Sequence, residues 1–180
     1  MMMPARRLCF QVLLAGTLLS TIGTSAFAHG HPQAGTRAPD AVFLSGGRRI
    51  SLVAYHGKKV MLWLFSTWCP SCRAGLETLP HDQKRFLAGH LHLIILENYK
   101  NGGYPGPSLK KMKNRYAKGI QGASNWSFGH ATRSLASLYN PQSYPDIFYL
   151  IRRDGTIRTV ESAPTAHLAT ILHFAEGSGS

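Results

Sequence analysis

The segment Val60–Cys72, VMLWLFSTWCPSC, changes character halfway along. Val60 to Phe65 is continuously apolar, the pattern of a central strand buried on both faces of a sheet. Ser66-Thr67 break that run, and Cys69 and Cys72 follow, two residues apart around Pro70-Ser71. From Arg73 to about Ala88 the spacing of Leu76, Leu79 and Phe86 is helical, with Pro80 expected to kink the helix or divide it. A cysteine pair set between a buried strand and a helix has a physical logic. The first cysteine meets the unpaired N–H groups and positive dipole end of the helix, which favour its thiolate. The second lies one turn on, within reach of any mixed disulfide the first has formed. Pro70 suits the first helical position because an N–H there would have no intrahelical partner. Trp68 is placed to shield the pair on one side while leaving Cys69 accessible.

Working outward, strand and helix signals alternate. Asp40–Leu44 and Arg48–Val53 read as a β-hairpin about Ser45-Gly46-Gly47. Leu91–Leu96 (LHLIIL) is a second buried strand. After an irregular stretch, Ser108–Lys118 reads as a basic helix, Trp126–Phe128 as a short strand and Thr132–Tyr139 as a helix. Asp146–Ile151 (DIFYLI) is a third apolar strand, joined to Thr156–Val160 through the Asp154-Gly155 turn. Pro164–Glu176 closes the chain as an amphipathic helix. This order predicts an α/β domain over residues 38–176, a central mixed sheet flanked by helices. Residues 29–37 (HGHPQAGTR) read as a flexible lead-in and 177–180 as a tail.

The chain opens with a secretory signal pattern over residues 1–28. Arg6-Arg7 precede the apolar stretch Leu8–Ile22, and Ala26-Phe27-Ala28 supply a small-x-small cleavage site. The apolar stretch falls short of the ~20 residues that span a bilayer, so export to the periplasm is favoured over an N-terminal anchor. Cleavage would remove Cys9 and leave two cysteines in a compartment where disulfides persist. So short a loop gives little structural stapling, which points to redox work. Zinc on Cys69 and Cys72 with His167 and His173 is disfavoured. Six helical positions rotate by about 600°, leaving the two rings ~120° apart. Twenty Lys and Arg against eight acids give a net charge of +12. That balance favours acidic protein partners or an anionic membrane surface, and no DNA- or RNA-binding motif is present.

Ala38-Pro39-Asp40, the VMLWLFSTWCPSC run, and Pro145-Asp146-Ile147-Phe148-Tyr149-Leu150-Ile151 with Asp154-Gly155-Thr156-Ile157 together resemble the thioredoxin superfamily. The exported TlpA/ResA-type branch is the most similar, over roughly residues 38–175. The resemblance implies a thioredoxin-like fold with an N-terminal hairpin and an inserted strand–helix. It implies a thiol–disulfide oxidoreductase with Cys69 as nucleophile and Cys72 as resolving cysteine. Trp68, Pro70, Ser71, Tyr144 and Pro145 would support the site, and no cofactor is needed beyond the Cys69–Cys72 pair. Pro145 matches the family's cis-proline, which presents the preceding residue's backbone to substrate. Partners would be exported proteins with disulfides or thiols, and a separate electron donor or acceptor; reduction is the direction that the branch implies, with a disulfide oxidant as the alternative because the C-x-x-C motif does not fix the direction.

Several positions depart from the family pattern. Trp63 stands where thioredoxin has a buried acid, and Gly75 where ResA-type proteins carry a glutamate. The proton-handling carboxylate is therefore absent or comes from elsewhere, with Glu97 one candidate. Tyr144 replaces a small or β-branched residue. A second function class rests on histidines. An N-terminal His29-Gly30-His31 offers amine, amides and imidazole for square-planar Cu(II). A thioredoxin-like copper chaperone, with His130 as a distant ligand, is the alternative to an oxidoreductase. A third reading makes the Lys110–Lys118 stretch a docking site for an acidic partner.

Overall fold

The computed structural model describes residues 30–120 and 122–177. The expected signal segment, Cys9, His29 and the end of the tail lie outside them. At the centre is β3 (Lys59–Phe65), buried at every position, as its unbroken apolar run requires. It pairs in parallel with β4 (Leu91–Glu97) and antiparallel with β6 (Asp146–Ile151). Around it stand β1 (Val42–Ser45), β2 (Arg48–Ser51), β5 (Trp126–Ala131) and β7 (Ile157–Glu161). The seven-stranded sheet has the order β2-β1-β5-β4-β3-β6-β7. The helices are α1 (Pro70–Thr78), α2 (Gln83–Ala88), α3 (Leu109–Tyr116), α4 (Arg133–Tyr139) and α5 (Leu168–Glu176).

Alternate residues of β3 feed two separate cores, as strand geometry dictates. Met61, Trp63 and Phe65 pack with Cys72 and Leu76 of α1, Met112 of α3 and Ile171 of α5. Leu62 and Leu64 face the other way, onto Leu135 and Tyr139 of α4 and Phe43 of β1. The expected mixed sheet, the N-terminal hairpin and the inserted α3–β5–α4 region are all present. Gly46 and Gly47 adopt positive φ (55° and 75°) in the hairpin turn, which a two-residue connection of this twist requires. Pro80 divides rather than kinks its helix: α1 stops at Thr78, Leu79–Asp82 form a 3₁₀ turn, and α2 begins at Gln83. The last helix starts later than expected, at Leu168, because Pro164–His167 form a turn.

The segment before the domain is not free of it. Arg37 bridges Thr156, the Gly35 N–H donates to the Ile157 carbonyl and the Ile157 N–H to Thr36. The described part of the expected flexible lead-in is thus tied to the start of β7. Polar composition suggested a loose segment, but the exposed backbone at the start of β7 offers it hydrogen-bond partners. Among the described residues no helix is long and apolar enough to cross a membrane.

Candidate active site

The buried strand β3 ends at Phe65, and the chain turns through Ser66–Trp68 into α1. Cys69 caps that helix with extended backbone (φ −79°, ψ 126°), and Pro70 takes its first turn. The Cys69 sulfur accepts the Cys72 N–H at 3.4 Å and lies 3.1 Å from the Ser71 hydroxyl. One donor orphaned by the helix start is thereby satisfied by sulfur. Both cysteines are free thiols. Cys72 is fully buried and donates to the Pro145 carbonyl at 3.3 Å. Burial first, then the Asp146 carboxylate and the Cys69 sulfur, push its pKa far above the ordinary thiol range.

Cys69 is more enclosed than expected, with 4% of its surface exposed. Residues 98–107 fold against the two residues that precede it, Thr67 and Trp68. Asn101 accepts the Thr67 N–H at 2.8 Å, and its carbonyl accepts the Trp68 indole N–H at 2.9 Å. Tyr104 meets the Trp68 ring edge-on at 5.1 Å. Gly106 packs so close that a Cβ there would lie 2.4 Å from the Thr67 hydroxyl.

The carboxylate that the structure places beside the cysteines is Asp146, the first residue of β6. One of its oxygens accepts the Trp63 indole N–H at 2.7 Å; the other accepts the Ser71 hydroxyl at 2.8 Å and the Ala163 N–H at 3.1 Å. Its carboxylate and the two sulfurs lie within 4.8 Å of one another. Glu97 faces His130 instead, at 3.3 Å, and does not fill this role. The two departures from the family pattern are linked to this arrangement. Trp63 brings its N–H to Asp146, and Gly75 leaves room for the indole: a Cβ at Gly75 would stand 2.8 Å from the Trp63 ring. Asp146 was legible as a lone acid at the head of an apolar strand, directly after Pro145, yet strand patterning gave it no direction.

The Tyr144–Pro145 bond is trans, contrary to the cis bond the resemblance implies. The chain turns one residue earlier, at Ser143 (φ 56°), and two buried asparagines fix the backbone of Tyr144 beyond it. Asn140 takes the Tyr144 N–H on its oxygen and donates to the Tyr144 carbonyl, both at 2.8 Å. Asn98 also donates to that carbonyl, at 3.1 Å, and accepts from Asn140 at 3.0 Å. The Pro145 carbonyl accepts the Ser66 N–H at 2.8 Å besides the Cys72 thiol. Pro145 therefore does lie against the cysteines. The Tyr144 backbone, however, is already engaged within the protein instead of being offered to a substrate. Only the Tyr144 side chain, 45% exposed, reaches outward.

Ser71, Tyr144, Pro145 and Asp146 share one wall of a groove of about 440 Å³, with His31, Glu161 and Ser162. His31, one of the two copper candidates, places its ring edge-on to Tyr144 and Tyr149, 6.3 Å from each. His31 is thus packed against tyrosines in the groove, and His29 is outside the described residues. His167 caps α5 and turns to Ser162 and Glu161. The terminal helix thus gives the cysteines no pair of imidazoles.

No protein-family model matches the chain, and no curated protein matches its sequence. Solved structures do. A Chlorobium tepidum protein assigned as the thiol:disulfide interchange protein DsbE is 16% identical, covers 82% of this chain and 100% of its own, and has a TM-score of 0.59. A secreted Mycobacterium tuberculosis disulfide oxidoreductase homologous to E. coli DsbE is 19% identical over 73% of this chain and 93% of its own, with TM-score 0.52. BsSco, of the Sco family of cytochrome c oxidase assembly proteins, is 18% identical over 81% and 96%, with TM-score 0.53. The chain has the thioredoxin-like fold. Thiol:disulfide interchange proteins are prominent among the structures that share it.

Proposed function

We propose that this protein is an exported thiol–disulfide oxidoreductase that reduces or exchanges disulfides of specific exported proteins. The observation that carries the reading is the Cys69 sulfur at the start of α1, with the Cys72 N–H directed at it and Asp146 beside both thiols. Cys69 attacks as thiolate, the reactive form of a cysteine. Its sulfur bonds one sulfur of the substrate disulfide, and the other leaves as a thiolate that takes a proton. Cys72, fully buried and held protonated, cannot be the first attacker. It acts second: Asp146 is placed to receive its proton, and its sulfur displaces the substrate from Cys69. The substrate gains two electrons and two protons, and the protein is left with a Cys69–Cys72 disulfide that a separate dithiol donor must reduce.

Reduction is the direction we favour for a physical reason. Strong oxidants of this class stabilise their reduced form. Here the Asp146 carboxylate adjoins the Cys72 thiol and disfavours its thiolate.

A copper-binding role is the second reading, resting on the likeness to BsSco and on two thiols beside a carboxylate. Against it, both Asp146 oxygens already accept hydrogen bonds and His130 is paired with Glu97. Trapping separates the roles. Cys72→Ser should accumulate mixed disulfides with exported proteins, and Cys69→Ser should not. Equal trapping by both variants would overturn the order of attack. Failure of the wild-type protein to cycle between dithiol and disulfide would overturn the reading altogether.

A further inference from the structure

We infer that the partner docks through an acidic polypeptide segment, which lies in the basic groove along α3, the helix that Arg73 of α1 touches at Tyr116; this rests on the thiol-exchange reading above. Of the eight acids in the chain, none falls between Glu97 and Asp146, whereas seven Lys and Arg do. The fold brings the first part of this one-sided segment onto the residues just before Cys69. Residues 98–107 fold against Thr67 and Trp68, and α3 comes directly after them. Pro107, Lys111, Met112, Asn114, Arg115 and Tyr116 line a groove of about 680 Å³.

The groove is tied back to the cysteine helix by Arg73, the residue after Cys72. Its guanidinium lies 6.0 Å from the Tyr116 ring centre, and that of Arg115 lies 5.4 Å from the same ring. Among the described residues, Arg73, Lys110, Lys111, Arg115 and Lys118 have no acidic partner within salt-bridge distance. Arg73, Lys111 and Arg115 are all exposed, as are Trp68 and Tyr104. Unpaired cations around a concave, partly aromatic surface attract an oppositely charged chain and speed its arrival.

Two observations favour a polypeptide over an anionic membrane. A flat lipid surface cannot fill a concave groove. Moreover, the Tyr144 backbone is engaged by Asn98 and Asn140. Partner recognition therefore falls to side-chain surfaces such as this one.

The test uses two peptides of equal length, each holding one cysteine in a mixed disulfide with a reporter thiol, flanked by Asp and Glu in one and by Lys in the other. With the reduced protein at low salt, the acidic peptide should react about tenfold faster or more, and the advantage should shrink as salt rises. In the Lys111→Glu/Arg115→Glu variant the preference should vanish or invert. The rate with hydroxyethyl disulfide, which is small and uncharged, should stay at the wild-type value. Equal rates for the two peptides, or an unchanged preference in the variant, would overturn the inference. If wild-type protein fails even with hydroxyethyl disulfide, the exchange reading falls, and anisotropy of a labelled, cysteine-free acidic peptide then decides docking by itself. Binding there, lost in the variant, upholds the groove. Binding only to phosphatidylglycerol-containing vesicles, with none to the peptide, overturns it in favour of a membrane.

Discussion

Trp63, Gly75 and Asp146 are far apart in the chain and act as one unit beside the dithiol. The indole is fully buried, its N–H is fixed on Asp146, and its ring fills the space that a side chain at 75 would need. In Gly75→Ala, the new methyl would meet the ring at 2.8 Å. Overpacking of this kind costs about 1–3 kcal/mol, against ~1 kcal/mol gained from replacing glycine within a helix. Urea denaturation of the variant should show a net loss of stability. Trp63→Phe/Gly75→Ala should lose less than the sum of the single changes, because the smaller ring relieves the contact. At this scale the sequence showed the cysteines plainly and the carboxylate hardly at all. Cys69 and Cys72 are marked by their own chemistry. Asp146 depends on a strand pairing more than eighty residues away, and Asn98 and Asn140 are ordinary polar residues until the fold joins them. The trans bond before Pro145 was hidden for the same reason: the side chains that hold Tyr144 come from β4's far end and the end of α4.

At the level of elements, periodicity read well. The buried run of β3, the β6–β7 hairpin, the Ser108-capped α3 and the break at Pro80 all appear as their patterns imply. Contacts between elements were the illegible part, and Lys59 is an example. It opens β3, is 5% exposed, and extends its ammonium to the Ala175 and Gly177 carbonyls at the C-terminal end of α5. Burial, with Arg153 adding to it, lowers its pKa. The carbonyls it binds have no intrahelical donor, so the charge meets the negative end of the helix. Lys59→Met keeps the apolar stem and removes the donor. It should cost about 1–3 kcal/mol of stability and speed amide hydrogen exchange in α5 more than in α4. Equal protection in both helices would mean that packing alone holds α5.

For the molecule as a whole, stability and pH are coupled through Cys72. A thiol whose folded pKa lies above its ordinary value of 9.0 keeps its proton in the native state after the unfolded chain has lost it. The native form then binds more protons, so its stability declines as pH rises past about 9, by roughly 1.4 kcal/mol per unit. Below that pH the contribution is fully present. Denaturation of the reduced protein between pH 8 and 10 should show this slope, and Cys72→Ser should reduce it. Tyr139 and Tyr149, also raised by burial, titrate from a higher ordinary value of 10.0 and are common to both proteins. A slope unchanged by the substitution would show that Cys72 ionises normally.

The bond from Lys59 to the last turn of α5 has a consequence for biosynthesis. A ribosome delivers the central strand well before residues 175 and 177, and β6, its second neighbour, is also late. A chain stopped short of those carbonyls would have to bury an ammonium with nothing to receive its protons. The environment that Lys59 occupies in the native structure is therefore complete only once residues 175 and 177 have been made.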